Sequence, residues 1–85
     1  MAKFKLVVKK SVAKDLRAIP NDDVRKILAR IESLIDNPRP DGSEKLSGQE
    51  RYRIRQGSYR IIYEIADEVL TVLVVKVGYR REVYR

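Results

Sequence analysis

An α+β domain is what this sequence predicts, and three patterns predict it. Apolar and polar residues alternate between Phe4 and Lys9 and again between Arg51 and Ile65, as in half-buried strands. Between Val12 and Ile35 the apolar residues recur at helical spacing. A nearly unbroken apolar run, Leu70 to Val77, then has the character of a covered central strand. With 85 residues the chain is expected to form one domain, spanning residues 1–85. No internal repeat or low-complexity tract interrupts it.

Phe4, Leu6 and Val8, alternating with Lys3, Lys5, Val7 and Lys9, predict the first strand. Ser11 is the expected N-cap of a short helix carrying Val12, Leu16 and Ile19, which stops before Pro20. Asn21 is the expected cap of a longer helix, with Asp22 and Asp23 in its first turn, where the helix dipole favours negative charge. Val24, Ile27, Leu28, Ile31, Leu34 and Ile35 form its apolar stripe, and Asn37-Pro38 ends it. Residues 37–49 are rich in turn formers and predict a polar loop. Tyr52 and Ile54 alternate with Arg51, Arg53 and Arg55 in a second strand. Gln56-Gly57-Ser58 predicts a turn. Tyr59, Ile61, Tyr63 and Ile65 alternate with Arg60, Ile62 and Glu64 in a third strand, and Ala66-Asp67-Glu68 turns the chain again. The last strand is expected to break at Gly78. The order is β-α-α-β-β-β: an antiparallel three-strand meander with a helical hairpin on one face.

Composition narrows the chemistry. The chain has no cysteine and no histidine, which removes disulfides, thiolate metal sites, cysteine nucleophiles and imidazole acid–base catalysis. The acids are scattered through caps, turns and solvated faces, so neither a metal site nor any other cofactor is expected. The N-terminus lacks the apolar core of a signal peptide, and no apolar run reaches the length of a membrane span. A soluble cytoplasmic protein without a membrane partner is the expectation.

A net charge of +7 and a pI near 9.9 favour a polyanionic partner. The kind of cation changes along the chain. Through Gln49 there are seven lysines and four arginines; from Glu50 onward there are seven arginines and one lysine, together with all five tyrosines. Arginine offers phosphate a planar fork, and tyrosine offers a base a ring to stack on.

Arg53 and Arg55 share one strand face, which is either a solvated surface or part of a phosphate-binding one. A tight hairpin at Gln56-Gly57-Ser58 would add Arg60, and Arg80, Arg81 and Tyr84 follow the strand that should pair with it. Such a set suits cleavage of RNA by its own 2′-hydroxyl, which attacks the adjacent phosphorus without a protein nucleophile. Arginines would align the strand and neutralise the phosphorane. Neighbouring cations would lower a tyrosine's pKa and raise its phenolate fraction.

Two stretches carry a resemblance. Lys45-Leu46-Ser47-Gly48 with Tyr52 to Tyr63, and Val77-Gly78-Tyr79-Arg80-Arg81-Glu82-Val83-Tyr84, resemble the RelE branch of the RelE/ParE toxin superfamily. The resemblance implies a RelE-like fold and a type II toxin that cleaves mRNA in the ribosomal decoding site, without a metal. It implies that Arg60 stabilises the transition-state phosphate, Arg80 serves the leaving 5′-oxygen, and Tyr84 orients or deprotonates the 2′-hydroxyl or stacks on a base. Arg53, Arg55, Arg81 and Lys45 are the implied RNA contacts. The implied partners are a cognate antitoxin, the ribosome and mRNA, with operator DNA met only through the antitoxin complex. The chain stops one residue after Tyr84, whereas some relatives continue into a C-terminal helix. Two other functions fit the same residues: a ParE-like inhibitor of DNA gyrase without ribonuclease activity, and a non-catalytic module that binds ribosomal RNA.

Overall fold

The computed structural model describes residues 3–46, 48 and 50–79. Arg80, Arg81 and Tyr84 lie outside the described residues. The elements are β1 (Lys5–Val8), α1 (Lys10–Arg17), α2 (Asn21–Ser33), β2 (Glu44–Lys45), β3 (Arg51–Gln56), β4 (Tyr59–Ala66) and β5 (Thr71–Tyr79). They form a five-stranded sheet in the order β1-β5-β4-β3-β2. The meander β3-β4-β5 is antiparallel as expected, and two edge strands extend it. β1 joins β5 in parallel, so the sheet is mixed, and β2 is a two-residue strand inside the segment expected to be loop.

The helical hairpin covers one face. Val12, Ile27, Ile31 and Leu34 from the helices meet Ile54, Ile61, Tyr63, Val72, Val74 and Val77 from the sheet in one buried core. Removing the side chain of Ile27, which is fully buried, costs about 2–5 kcal/mol. Among the described residues no helix lies over the other sheet face. It carries a small apolar cluster, in which Leu46 and Leu73 pack against Ile62 and Val75, set among charged residues.

Several boundaries differ from the expectations. Lys9 rather than Ser11 is the N-cap of α1, because the helix begins one residue before Ser11. Pro20, not Asn21, caps α2, so Asn21 is its first helical residue; neither cap makes a side-chain hydrogen bond. Gly78 does not end β5. It pairs with Arg60, and the strand continues through Tyr79, because β4 supplies partners up to that point. An irregularity between Ile62 and Tyr63 gives β5 one extra residue, which lets both Val74 and Val77 reach the core.

At that irregularity α1 completes the backbone pairing. β1 pairs with β5 only from Thr71 to Val74. Beyond it, the carboxylate of Asp15 accepts a hydrogen bond from the Val77 N–H at 3.1 Å. A side chain thus satisfies a donor that the short edge strand leaves uncovered.

Candidate nucleic-acid interface

The sheet face opposite the helices presents the arginines, and the pleat decides which ones. Arg51, Arg53 and Arg55 alternate with Tyr52, Ile54 and Gln56 along β3, and the second set faces the helices. Gly57, at φ +60°, makes the two-residue turn that joins β3 to β4. The turn pairs Gln56 with Tyr59 and so sets Arg55 directly opposite Arg60. The expected hairpin and the shared surface of Arg53, Arg55 and Arg60 are therefore present. Cross-strand partners of this kind have Cβ atoms about 4.5–5.5 Å apart.

The three arginines are not equivalent. Arg60 is only 5% exposed, and its other cross-strand partner is Gly78, which adds no side chain to that face. Arg55 is exposed, and among the described residues no carboxylate lies within 4 Å of it. Arg53 forms an ion pair with Glu44, its register partner on β2, and its side chain is 11% exposed. The sequence alone gave no sign of this pairing, since β2 lies within a polar loop and its register is set by the sheet.

Lys45 stands apart. It pairs with Tyr52, whose ring packs toward the helices, so its place in the pleat is opposite to that of Arg53 and Arg55. Its Nζ lies 3.6 Å from the Glu50 carboxylate, and both groups are largely solvated.

At the far end of the meander, the charges are matched. Arg51 donates to Glu64, its cross-strand partner, at 2.9 Å. Arg39 donates two hydrogen bonds to Asp67, at 3.1 and 2.8 Å, and a third to the Tyr52 hydroxyl at 3.2 Å. Those bonds hold the Asp67 carboxyl below its ordinary pKa and raise that of Arg39 further still. Tyr52 stacks on Tyr63, whose hydroxyl donates to the carbonyl of Pro38 at 2.7 Å. Burial, the largest influence, pushes the Tyr63 pKa up to about 12. This clasp ties the 37–43 loop to the turn between β4 and β5, and sequence reading missed it.

The sequence profile of the ParE toxin of the type II toxin–antitoxin system parDE matches residues 6–84. The chain belongs to this family. The toxin is 30% identical over 87 residues to RelE1 of Methanocaldococcus jannaschii, a match covering 98% of this chain and 97% of its relative. Its fold is similar to that of the archaeal RelE–RelB complex from Pyrococcus horikoshii OT3, with a TM-score of 0.83, 27% identity, and coverage of 96% of this chain and 99% of the other. It is also similar to the isolated RelE toxin of E. coli, with a TM-score of 0.77, 27% identity, and coverage of 95% and 90%. The toxin is thus a type II toxin of the RelE/ParE superfamily with a RelE-like fold, as its motifs implied.

Proposed function

We propose that the toxin is a ribosome-dependent endoribonuclease that cuts mRNA in the decoding site and so inhibits translation. The observation that carries this reading is the hairpin register, which sets Arg60, buried, opposite Arg55, exposed, on the sheet face away from the helices. A guanidinium already removed from water interacts more strongly with charge that develops on a phosphorane than one in bulk solvent does. Arg60 therefore takes the transition-state role, and Arg55 the approach of the substrate backbone. RNA has to exchange Arg60's present cover for phosphate, and the ribosome supplies a pre-aligned strand that makes this exchange productive.

Arg80 and Tyr84 belong to the proposal on their motif alone. Arg80 serves the leaving oxygen, Tyr84 the 2′-hydroxyl or a base, and Arg81 a phosphate. Arg53 contacts RNA when Glu44 releases it. Lys45, placed in the pleat opposite to the arginines, contacts RNA at the sheet edge. A cognate antitoxin of acidic character covers the arginine face, and the cluster of Leu46, Ile62, Leu73 and Val75 beside it gives that partner apolar area to bury. Operator DNA is met only through that complex.

Primer extension on a translated message tests the reading. Cuts at codon positions on ribosomes, with the same RNA left nearly intact in free solution, are expected. A message that stays whole while supercoiling by gyrase stops would establish gyrase inhibition instead, the activity favoured by the ParE character of the matching profile. Ribosome binding without either effect would leave a ribosomal-RNA-binding module.

A further inference from the structure

On the helix-covered side, at the hairpin end of the sheet, a groove of about 430 Å³ opens between α1 and the last residues of β5. Ile19 and Val77, both buried, contribute to its lining. Tyr79 stands on one side and is 44% exposed. Its register partner Tyr59 meets it edge-on, with ring centroids 5.7 Å apart and planes at 88°, which fixes the ring's attitude without covering it.

The opposite side is cationic. Lys10, Lys14 and Arg17 follow one another at i, i+4 and i+7 on the exposed side of α1, and Lys14 lines the groove. The groove's acid, Asp15, is already engaged: one oxygen accepts the Val77 N–H, and the other lies 3.7 Å from the Lys76 ammonium. Among the described residues no carboxylate lies within 4 Å of Lys14. An exposed ring facing a cation across a space of this size is the pairing that single-stranded nucleic acid uses, the base on the ring and the backbone on the charge.

We propose that this groove holds one unpaired nucleotide of single-stranded RNA, its base on Tyr79 and its phosphate beside Lys14. The proposal rests on the ribonuclease reading and extends it. Tyr59 and Tyr79 are the chain neighbours of Arg60 and Gly78, so a strand rounding this end of the sheet meets the arginines on one side and the groove on the other.

Fluorescence anisotropy of the full chain with labelled hexaadenylate, and with an abasic ribose-phosphate hexamer, tests it. Hexaadenylate is expected to bind the wild type more tightly than the abasic strand. Tyr79→Ala should weaken hexaadenylate binding about 10-fold, the scale of losing one base–ring stack, and erase most of the preference for bases. Tyr79→Phe, which keeps the ring, should restore most of it. Lys14→Gln should weaken both strands about 2- to 5-fold and lower the salt slope by about one. Equal affinities of wild type and Tyr79→Ala for hexaadenylate would overturn the groove. Cleavage of ribosome-bound mRNA by wild type, followed in parallel, separates the two readings. Cutting with Tyr79-independent binding removes the groove alone, and Tyr79-dependent binding without cutting removes the ribonuclease alone.

Discussion

The two ends of the β3-β4-β5 meander use the same residue types differently. At the end near Asp67, arginines meet carboxylates: Arg51 meets Glu64, and Arg39 meets Asp67. A stacked tyrosine pair lies beside them and is closed off by the Tyr63–Pro38 hydrogen bond. At the hairpin end, Arg60 has Arg55 and Gly78 as cross-strand partners, and Tyr59 and Tyr79 border an open groove. At one end the ion pairs and the ring stack tie loop and strands together; at the other, Arg55 stays exposed and Tyr79 borders the groove. An arginine-rich strand therefore does not give its guanidiniums equal surroundings: the partner strand sets an acid, a like charge or a glycine opposite each one.

If this division is correct, substitutions at the hairpin end should affect activity, and those at the clasp should affect stability. The largest effect is expected from Arg60→Ala, which should lower single-turnover cleavage on programmed ribosomes by about 10²-fold or more. Arg60→Lys should recover only part of that, since it keeps the charge and loses the fork. Arg51→Ala should stay within about 2-fold. Equal losses for Arg51→Ala and Arg60→Ala would erase the distinction between the ends. Arg80→Ala should match Arg60→Ala, and Tyr84→Phe should be nearly as harmful as Tyr84→Ala if the phenol handles the proton.

Tyr63→Phe should cost about 1–2 kcal/mol in denaturant unfolding, because the Pro38 carbonyl loses its donor inside the protein. Its pH dependence is equally specific. The Tyr63 pKa rises from 10.0 to about 12 on folding, so its contribution is complete below pH 10 and lost as pH climbs through 12. The phenylalanine variant should lack that alkaline loss, and cleavage at neutral pH should remain close to wild type. A large fall in cleavage by the folded Tyr63→Phe protein would extend the functional region into the clasp.

Arg55→Ala is expected to weaken RNA binding about 3- to 10-fold and to lower the salt slope by about one. Glu44→Gln should act in the opposite direction, because it releases Arg53 toward phosphate. Anisotropy titrations at several salt concentrations check both. Weaker binding in Glu44→Gln would mean that the Glu44–Arg53 pair orders the surface instead of competing with RNA for it.

The smallest effect belongs to Asp67→Asn. Folding lowers the Asp67 pKa below its ordinary value of 3.8, so the stabilisation is present above that value and is lost as pH falls through the folded one. The variant should melt slightly lower than wild type at pH 7, and the two should converge in strong acid. A difference that persists at low pH would assign the effect to packing rather than to the Arg39–Asp67 pair.

Periodicity alone determined the helical hairpin, the meander and the face that Arg53 and Arg55 share, because strand alternation and helical stripes are local properties of the chain; Arg60 joined them only through the turn. Gln56-Gly57-Ser58 located the hairpin for the same reason: a two-residue turn with positive φ at Gly57 fixes the register from within. The motifs around Tyr52 and Gly78 supplied the family. What remained for the tertiary structure was everything that depends on distant partners. The position of β1 beside β5, the continuation of β5 past Gly78, the pairing of Glu44 with Arg53, the Arg39–Asp67 clasp and the Asp15 bond to Val77 all join segments separated by loops or helices. No local pattern encodes such contacts, because their register is chosen by the packing of the whole sheet against its helices. That packing is what sets Arg51 opposite Glu64 and Arg39 beside Asp67 at one end, and Arg55 opposite Arg60 at the other.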